Sequence, residues 1–365
     1  MHIPFCARRC GYCNFAIIAN RSDLTERFVA AAQAELSRLP AGPLDTVYFG
    51  GGTPSQLSDD QLEQLCKAIA ARFSVATDCE WTIEANPEDV SRSRIKRWSE
   101  MGPNRISLGA QSLSPPKLTA LERLHTPQQV TAAVDAAAEF GLQSAVDLIF
   151  AAPGETADEW RADVDAIINL IPDHVSTYGL TYERGAPFWS RRERGRLTET
   201  DENTQRGMYL DAIERLAAAD FEHYEISNFA RPERRSRHNQ AYWTGDGYYA
   251  IGPGAARYVD GVRSTNHASV TTWLRRIENN ESPESDREQL DPEQRARERL
   301  IFALRMLAGV HAEDFAAATG YAIAELAGDV VDRYVAQNWL EWIEGSLRLT
   351  TEGLLISDAL WPDLV

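Results

Sequence analysis

The chain has 365 residues, enough for about two domains with a substantial core. Its 37 Lys and Arg against 54 Asp and Glu give a formal charge of −17, which excludes a general affinity for nucleic acid or anionic membrane, so any anionic ligand must meet a local basic patch. No run approaches the roughly 20 continuous apolar residues of a membrane span, and Met1-His2-Ile3-Pro4 leads into cysteines instead of a signal-peptide apolar stretch; no integral membrane segment and a cytoplasmic setting are expected, with peripheral membrane contact left open.

The chain opens on the loop Cys6-x-x-x-Cys10-x-x-Cys13. Five cysteines, an odd number with three clustered, fit metal binding in a reducing compartment better than a disulfide framework. Three thiolates in one short loop can hold three irons of a cubane and leave the fourth open to an outside ligand. A zinc site with His2 as fourth ligand is the alternative on spacing alone. A c-type haem attachment is unsupported, because Asn14 and not His follows Cys13.

From there to about residue 227, short apolar runs alternate with helical patterns, as a parallel α/β domain requires. Strands are expected at Thr46–Gly50, Trp81–Ala85, Arg105–Gly109, Ala145–Phe150, Val175–Leu180 and Tyr224–Ile226. Ser58 and Gln61 form a capping-box pattern before Leu62, Leu65, Cys66 and Ile69, which recur at helical spacing and make Cys66 a core residue. If the strands close into a full or partial barrel, the active site belongs at their C-terminal ends. The run Gly50-Gly51-Gly52-Thr53-Pro54 lies at such an end, where a backbone can approach a ligand closely. Glu84 and Asp147 sit inside apolar strands, costly unless hydrogen-bonded or held in an ion pair within the barrel. On residue type alone Gln111 and Arg123 are ordinary polar positions.

The segment 228–290, rich in Arg, Asn, Gly and Tyr, is expected to be irregular. It holds a basic island, Arg231, Arg234, Arg235 and Arg237, placed either to clamp carboxylates or to pair with Glu225 and Glu233, and then His238-Asn239-Gln240-Ala241-Tyr242-Trp243. Helices are expected at Glu293–Leu307 and Ala322–Gln337, followed by a hairpin at Trp339–Leu349 turning on Glu344-Gly345. That order is winged-helix-like, but His311 to Gly345 carries seven acidic residues and one basic residue, so no nucleic-acid partner is expected. The expected division is a barrel over 1–227, a connecting region over 228–290 and a C-terminal helical, winged-helix-like domain over 291–365.

Read together, His2-Ile3-Pro4-Phe5-Cys6, Cys10-Gly11-Tyr12-Cys13-Asn14-Phe15 and Tyr48-Phe49-Gly50-Gly51-Gly52-Thr53-Pro54 resemble the radical S-adenosylmethionine (SAM) superfamily. Over nearly its whole length the chain resembles the oxygen-independent coproporphyrinogen III oxidases and their relatives. The resemblance implies a partial TIM-type (β/α)6 barrel with a C-terminal α+β, winged-helix-like domain. It implies a [4Fe–4S] cluster on Cys6, Cys10 and Cys13, served by an electron donor. SAM is implied at Tyr12, Gly51, Gly52, Thr53, Glu84, Gln111, Arg123 and Asp147, and in this superfamily one-electron reduction cleaves it to a 5′-deoxyadenosyl radical.

The chain departs from the oxidases in two ways. Phe15 stands where their loop has a further Cys, and their tyrosine six residues before the first cysteine would precede Met1, so part of the first strand is expected upstream of Met1. Tyr224-Glu225-Ile226-Ser227-Asn228-Phe229-Ala230-Arg231-Pro232 and the HNxxYW element at His238 resemble the HemW heme chaperone branch. That branch implies heme at His238, Asn239, Tyr242 and Trp243, with an imidazole as axial ligand and flat aromatic contacts, and a client protein that receives the heme. Oxidative decarboxylation of coproporphyrinogen III propionates to vinyls and radical SAM methyl transfer are the alternatives, and Phe15 tells against the first.

Overall fold

The computed structural model describes residues 1–364. An eight-stranded sheet forms its centre. Strands β1 (His2–Ile3), β2 (Pro43–Gly51), β3 (Ser74–Ala85), β4 (Arg105–Gln111), β5 (Gln143–Phe150) and β6 (His174–Gly179) run parallel in sequence order. Of the remaining two, β7 (Glu222–Glu225) and β8 (Asn228–Ala230), β8 pairs antiparallel with β6 and β7 forms the edge. Helices α1 (Thr25–Arg38), α2 (Asp59–Arg72), α3 (Arg92–Met101), α4 (Pro127–Glu139), α5 (Ala157–Asn169) and α6 (Glu202–Ala218) alternate with these strands.

The two-residue period of β2 shows how the sheet becomes a partial barrel. Val47 and Phe49 are buried in the core, while Thr46, Tyr48 and Gly50 point to the opposite face, the lumen. Each strand expected over 1–227 is present within three residues of its expected bounds, except that β3 begins at Ser74, seven residues before Trp81. The helix after Leu57 starts as its capping box requires: Gln61 N–H donates to Ser58 Oγ at 3.2 Å and Ser58 N–H to Gln61 Oε1 at 3.0 Å. Cys66 lies in the core, as expected.

The segment 228–290 is not irregular, which corrects the sequence reading. After β8 it forms α7 (Arg237–Trp243), then a three-stranded antiparallel sheet of β9 (Ala256–Val259), β10 (Val262–Asn266) and β11 (Glu284–Gln289), with α8 (Val270–Glu278) between its last two strands. The strands are polar because charge pairs tie them together: Arg257 pairs with Glu284, and Arg263 with Glu288 at 3.4 Å. Buried Glu35 of α1 accepts Gly252 N–H at 3.0 Å, Asn266 Nδ2–H at 2.7 Å and Trp273 Nε1–H at 3.0 Å, which fixes the segment to the barrel.

Beyond it, α9 (Pro292–Ala303), α10 (Ala312–Thr319) and α11 (Ile323–Ala336) pack with a small sheet of β12 (Val310–His311), β13 (Leu340–Ile343) and β14 (Ser346–Leu349) around a second core containing Leu300, Phe315, Leu326 and Leu347. The hairpin turns on Glu344 and Gly345, both at positive φ (50° and 82°), as a tight two-residue turn demands. Among the described residues no helix is long and apolar enough to cross a membrane.

Candidate functional site

A cavity of about 690 Å³ opens at the C-terminal ends of the parallel strands. It is lined by Cys6, Cys10 and Cys13 and by all eight positions singled out for SAM: Tyr12, Gly51, Gly52, Thr53, Glu84, Gln111, Arg123 and Asp147. These residues come from six separate chain segments.

A chain of hydrogen bonds joins two of the thiols. Cys6 Sγ lies 3.3 Å from Thr53 Oγ1, Asn86 Nδ2 donates to Thr53 Oγ1 at 3.3 Å, and Arg123 donates to both Asn86 Oδ1 and Cys10 Sγ, the latter at 3.6 Å. Asn86 had no sequence signal beyond its place one residue after a strand end. Arg123 also donates to the Gly109 carbonyl at 2.8 Å, which fixes its guanidinium over the cavity. Gln111 sits at φ 63°, in the left-handed region, where the β4–β5 ladder shifts register between Leu108 and Gln111; strain of this kind re-aims a side chain at a functional site.

The glycine run is required by close packing. Gly51 holds φ 102°, and a Cβ there would enter the His2 ring; a Cβ on Gly52 would lie 2.6 Å from the Ile3 carbonyl oxygen.

Both lumen carboxylates lack a Lys or Arg ion-pair partner among the described residues, which sets aside the reading of a structural ion pair. Glu84 accepts the Tyr48 hydroxyl at 2.6 Å and Gly51 N–H at 3.0 Å, and burial pushes its carboxyl up to about 7, with Asp147 adding to the rise. Asp147 accepts Ser107 Oγ–H at 3.4 Å, and burial pushes it up to about 6. Two buried carboxylates at the strand ends, neither in ion-pair contact with a protein cation, suit a ligand ammonium or hydroxyl group.

Three thiols of one loop, all facing the cavity, are the donor set that a cluster with one open iron requires. Among the described residues no three His, Cys, Asp or Glu side chains lie close enough together to hold a single metal ion. His2, the fourth zinc ligand that spacing allowed, turns its Nδ1 to the Pro253 carbonyl. Burial pushes the Cys6 thiol up to about 11, so a bound metal would have to supply the charge that holds it as thiolate.

The HNxxYW residues lie elsewhere. The structure places α7 across the N-terminal end of the barrel, and neither His238, Asn239, Tyr242 nor Trp243 lines the cysteine cavity. The buried carboxylate of Glu80 anchors the helix by accepting Arg237 N–H and His238 N–H, each at 2.9 Å, and Ser236 Oγ–H at 3.3 Å. Arg105, 2% exposed, lies 3.7 Å behind that carboxylate. His238 stacks on Tyr48 with ring centroids 4.6 Å apart; its Nδ1 lies 2.9 Å from Thr46 Oγ1 and its Nε2 3.1 Å from the Tyr242 hydroxyl. Burial pulls its pKa down to about 3, so the ring is neutral. Asn239 contributes its backbone N–H to Ser236 Oγ at 3.3 Å, a helix cap.

Tyr242 stands between two cavities, one of about 570 Å³ shared with His238 and one of about 410 Å³ shared with Trp243. Three of the four island arginines are neutralised locally. Arg234 pairs with Asp173 at 3.3 Å, Arg235 with Glu222 and Arg237 with Asp78 at 3.3 Å, while Arg231 lies over the Phe221 ring. None of the four pairs with Glu225 or Glu233, the partners expected from proximity in sequence.

Comparison with known proteins gives the family and the fold. The profile of the Radical SAM superfamily matches residues 1–167, and that of the HemN C-terminal domain matches residues 290–356. The protein named heme chaperone HemW in Lactococcus lactis is 33% identical over 96% of this chain and 93% of its own length. The heme chaperone HemW of Mycobacterium tuberculosis is 35% identical over 99% of this chain and 92% of its own. The chain belongs to the HemW family of radical SAM proteins. Its fold is that of the coproporphyrinogen III oxidase HemN from Escherichia coli, which it matches with a TM-score of 0.88 over 100% of this chain and 88% of that one, at 17% identity. In this HemW-family chain Phe15 closes the cysteine loop and is 62% exposed on the cavity rim.

Proposed function

We propose that this HemW-family chain is a cytoplasmic heme carrier that holds a [4Fe–4S] cluster on Cys6, Cys10 and Cys13, SAM in the same cavity, and heme on the HNxxYW helix, and that it passes heme to a client protein. When bound, the cluster would offer its open iron to SAM and, fed by an electron donor, the reducing power of radical SAM chemistry. In this reading Glu84 and Asp147 accept hydrogen bonds from SAM. Gly51, Gly52 and Thr53 offer backbone and hydroxyl contacts. Tyr12, Gln111 and Arg123 fix its orientation, with Arg123 adding a positive charge beside Cys10.

The observation that carries the reading is the separation of the two sites. The cysteines line the mouth of the barrel, while His238, Tyr242 and Trp243 lie at its floor, five residues down β2 from Gly51 to Thr46, or about 16 Å of strand. A porphyrin on that helix is held apart from the chemistry at the mouth, as a cargo requires and a porphyrinogen substrate does not. His238 is neutral, as an axial ligand must be, and ligation requires Nε2 to leave the Tyr242 hydroxyl.

The test is anaerobic reconstitution followed by heme titration, SAM-cleavage and coproporphyrinogen assays. Heme is expected to bind with no sustained formation of protoporphyrinogen, and Cys10→Ser is expected to abolish the visible cluster absorption while heme still binds. Absence of heme binding, or sustained turnover of coproporphyrinogen, overturns the proposal.

A further inference from the structure

Three arginines of the basic island are taken up by carboxylates, and Arg231 is held over Phe221 and by the Pro172 carbonyl, so the charge that would meet the heme propionates is sought elsewhere. The cavity of about 410 Å³ between α7, the three-stranded sheet and α9 supplies it. Its walls are aromatic, with Tyr242 and Trp243 from α7, Tyr258 from β9 and Phe302 from α9. Two guanidinium groups, Arg295 and Arg299, face it from one side of α9, four residues and so about one turn apart.

These two arginines differ from the others nearby. Arg263, on the same cavity, is held by Glu298 at 2.6 Å and Glu288 at 3.4 Å, and Arg297 pairs with Glu293 at 2.8 Å. Neither Arg295 nor Arg299 makes an ion pair or a side-chain hydrogen bond among the described residues. A second observation concerns the same walls. Trp243 Nε1 and Arg295 Nε are buried donors with no acceptor. Leaving a buried N–H unmatched is costly, and an acceptor bound in this cavity would lie beside both of these donors.

We infer that this cavity receives the propionate-bearing edge of the heme, with Arg295 and Arg299 gripping the two carboxylates and Tyr242 and Trp243 contacting the flat macrocycle. The inference rests on the proposed heme-carrying function. Its chemistry is specific. Guanidinium forks bind carboxylates bidentately, a pair one turn apart can divide between two of them, and aromatic walls favour a planar partner. It also joins the barrel to the C-terminal domain, since α7 supplies one wall and α9 the other.

The experiment titrates full-length protein with hemin, metal-free protoporphyrin IX and hemin dimethyl ester, following absorbance and fluorescence quenching. Wild type is expected to bind hemin and protoporphyrin IX and to bind the diester at least roughly tenfold more weakly, the scale of a lost charged hydrogen bond. The R295Q/R299Q double variant is expected to bind hemin and protoporphyrin IX that much more weakly and to stop distinguishing hemin from its diester. His238→Ala is expected to affect hemin but not protoporphyrin IX, which separates axial ligation from the carboxylate grip. If wild type binds neither porphyrin, the heme-carrying function falls. If wild type binds hemin and the double variant binds it equally well, the function stands and the arginine grip is wrong. The single variants R295Q and R299Q carry the same comparison should the double variant fail to fold, and equal affinity for hemin and its diester in wild type would also overturn the grip.

Discussion

Replacing Glu80 with Gln tests whether a single buried carboxylate holds the HNxxYW helix on the barrel floor. Glu80 accepts Arg237 N–H and His238 N–H at 2.9 Å each through different oxygens, takes Ser236 Oγ–H at 3.3 Å, and is the carboxylate nearest buried Arg105, at 3.7 Å. An amide has one acceptor oxygen, so one of the two backbone N–H groups would face an NH2 group and lose its partner. At the same time Arg105 would keep its charge in a buried site without a counter-charge. Breaking a buried ion pair from one side costs about 3–5 kcal/mol, and the orphaned backbone donor acts in the same direction. Urea unfolding of the cluster-free protein should therefore show Glu80→Gln destabilised by about 3 kcal/mol or more. Hydrogen exchange should speed up in peptides covering α7 while peptides covering α2 and α3 keep their protection. A loss below about 1 kcal/mol, with α7 exchanging as in wild type, would refute the anchoring role.

Three further outcomes follow from the same geometry. Glu84 and Asp147 are raised by burial to about 7 and about 6, so SAM affinity should rise with pH through that range as the carboxylates ionise, by up to about tenfold per unit for each proton released, and Glu84→Gln should flatten the profile; calorimetry showing a pH-independent wild-type affinity would sink this. Asn86→Ala should break the hydrogen-bond chain joining Cys6 and Cys10 and hasten loss of cluster absorbance on exposure to a chelator, and equal bleaching rates would show that Asn86 is dispensable. His238 has its pKa depressed from 6.5 to about 3, so the unfolded chain takes up a proton that the folded one refuses: stability is full above about pH 6.5 and falls toward pH 3 by about 1.4 kcal/mol per unit. His238→Asn should reduce that slope, checked by denaturant midpoints across the range, while His223, lowered to about 4, and His174, also lowered by burial, still act in the same direction.

The parts legible in the sequence are those whose cause is local. Cys6, Cys10 and Cys13 sit within one loop, the capping box at Ser58 spans four residues, and each barrel strand announces itself by its own apolar run. Glu84 and Asp147 stood out because a carboxylate in such a run is anomalous wherever the fold puts it. Asn86 had no such signature, since its value lies in bridging Thr53 and Arg123, partners more than thirty residues away on either side. The sheet of β9, β10 and β11 was hidden because its cohesion comes from cross-strand charge pairs and not from an apolar face. The arginines before the HNxxYW element looked free for the same reason. Asp78 and Asp173, which take up two of them, lie more than fifty residues away in sequence and meet them only once the barrel has formed.

Tyr48 belongs to both ends of the lumen: its hydroxyl is bound to Glu84 at the mouth and its ring lies flat on His238 at the floor. One side chain thus touches both a carboxylate of the cysteine cavity and the ring of His238. A substitution at Tyr48 should register in two assays at once, whereas Glu84 and Arg299 each report on one end. In a search for separation-of-function variants, this residue marks the position where no clean separation can be obtained.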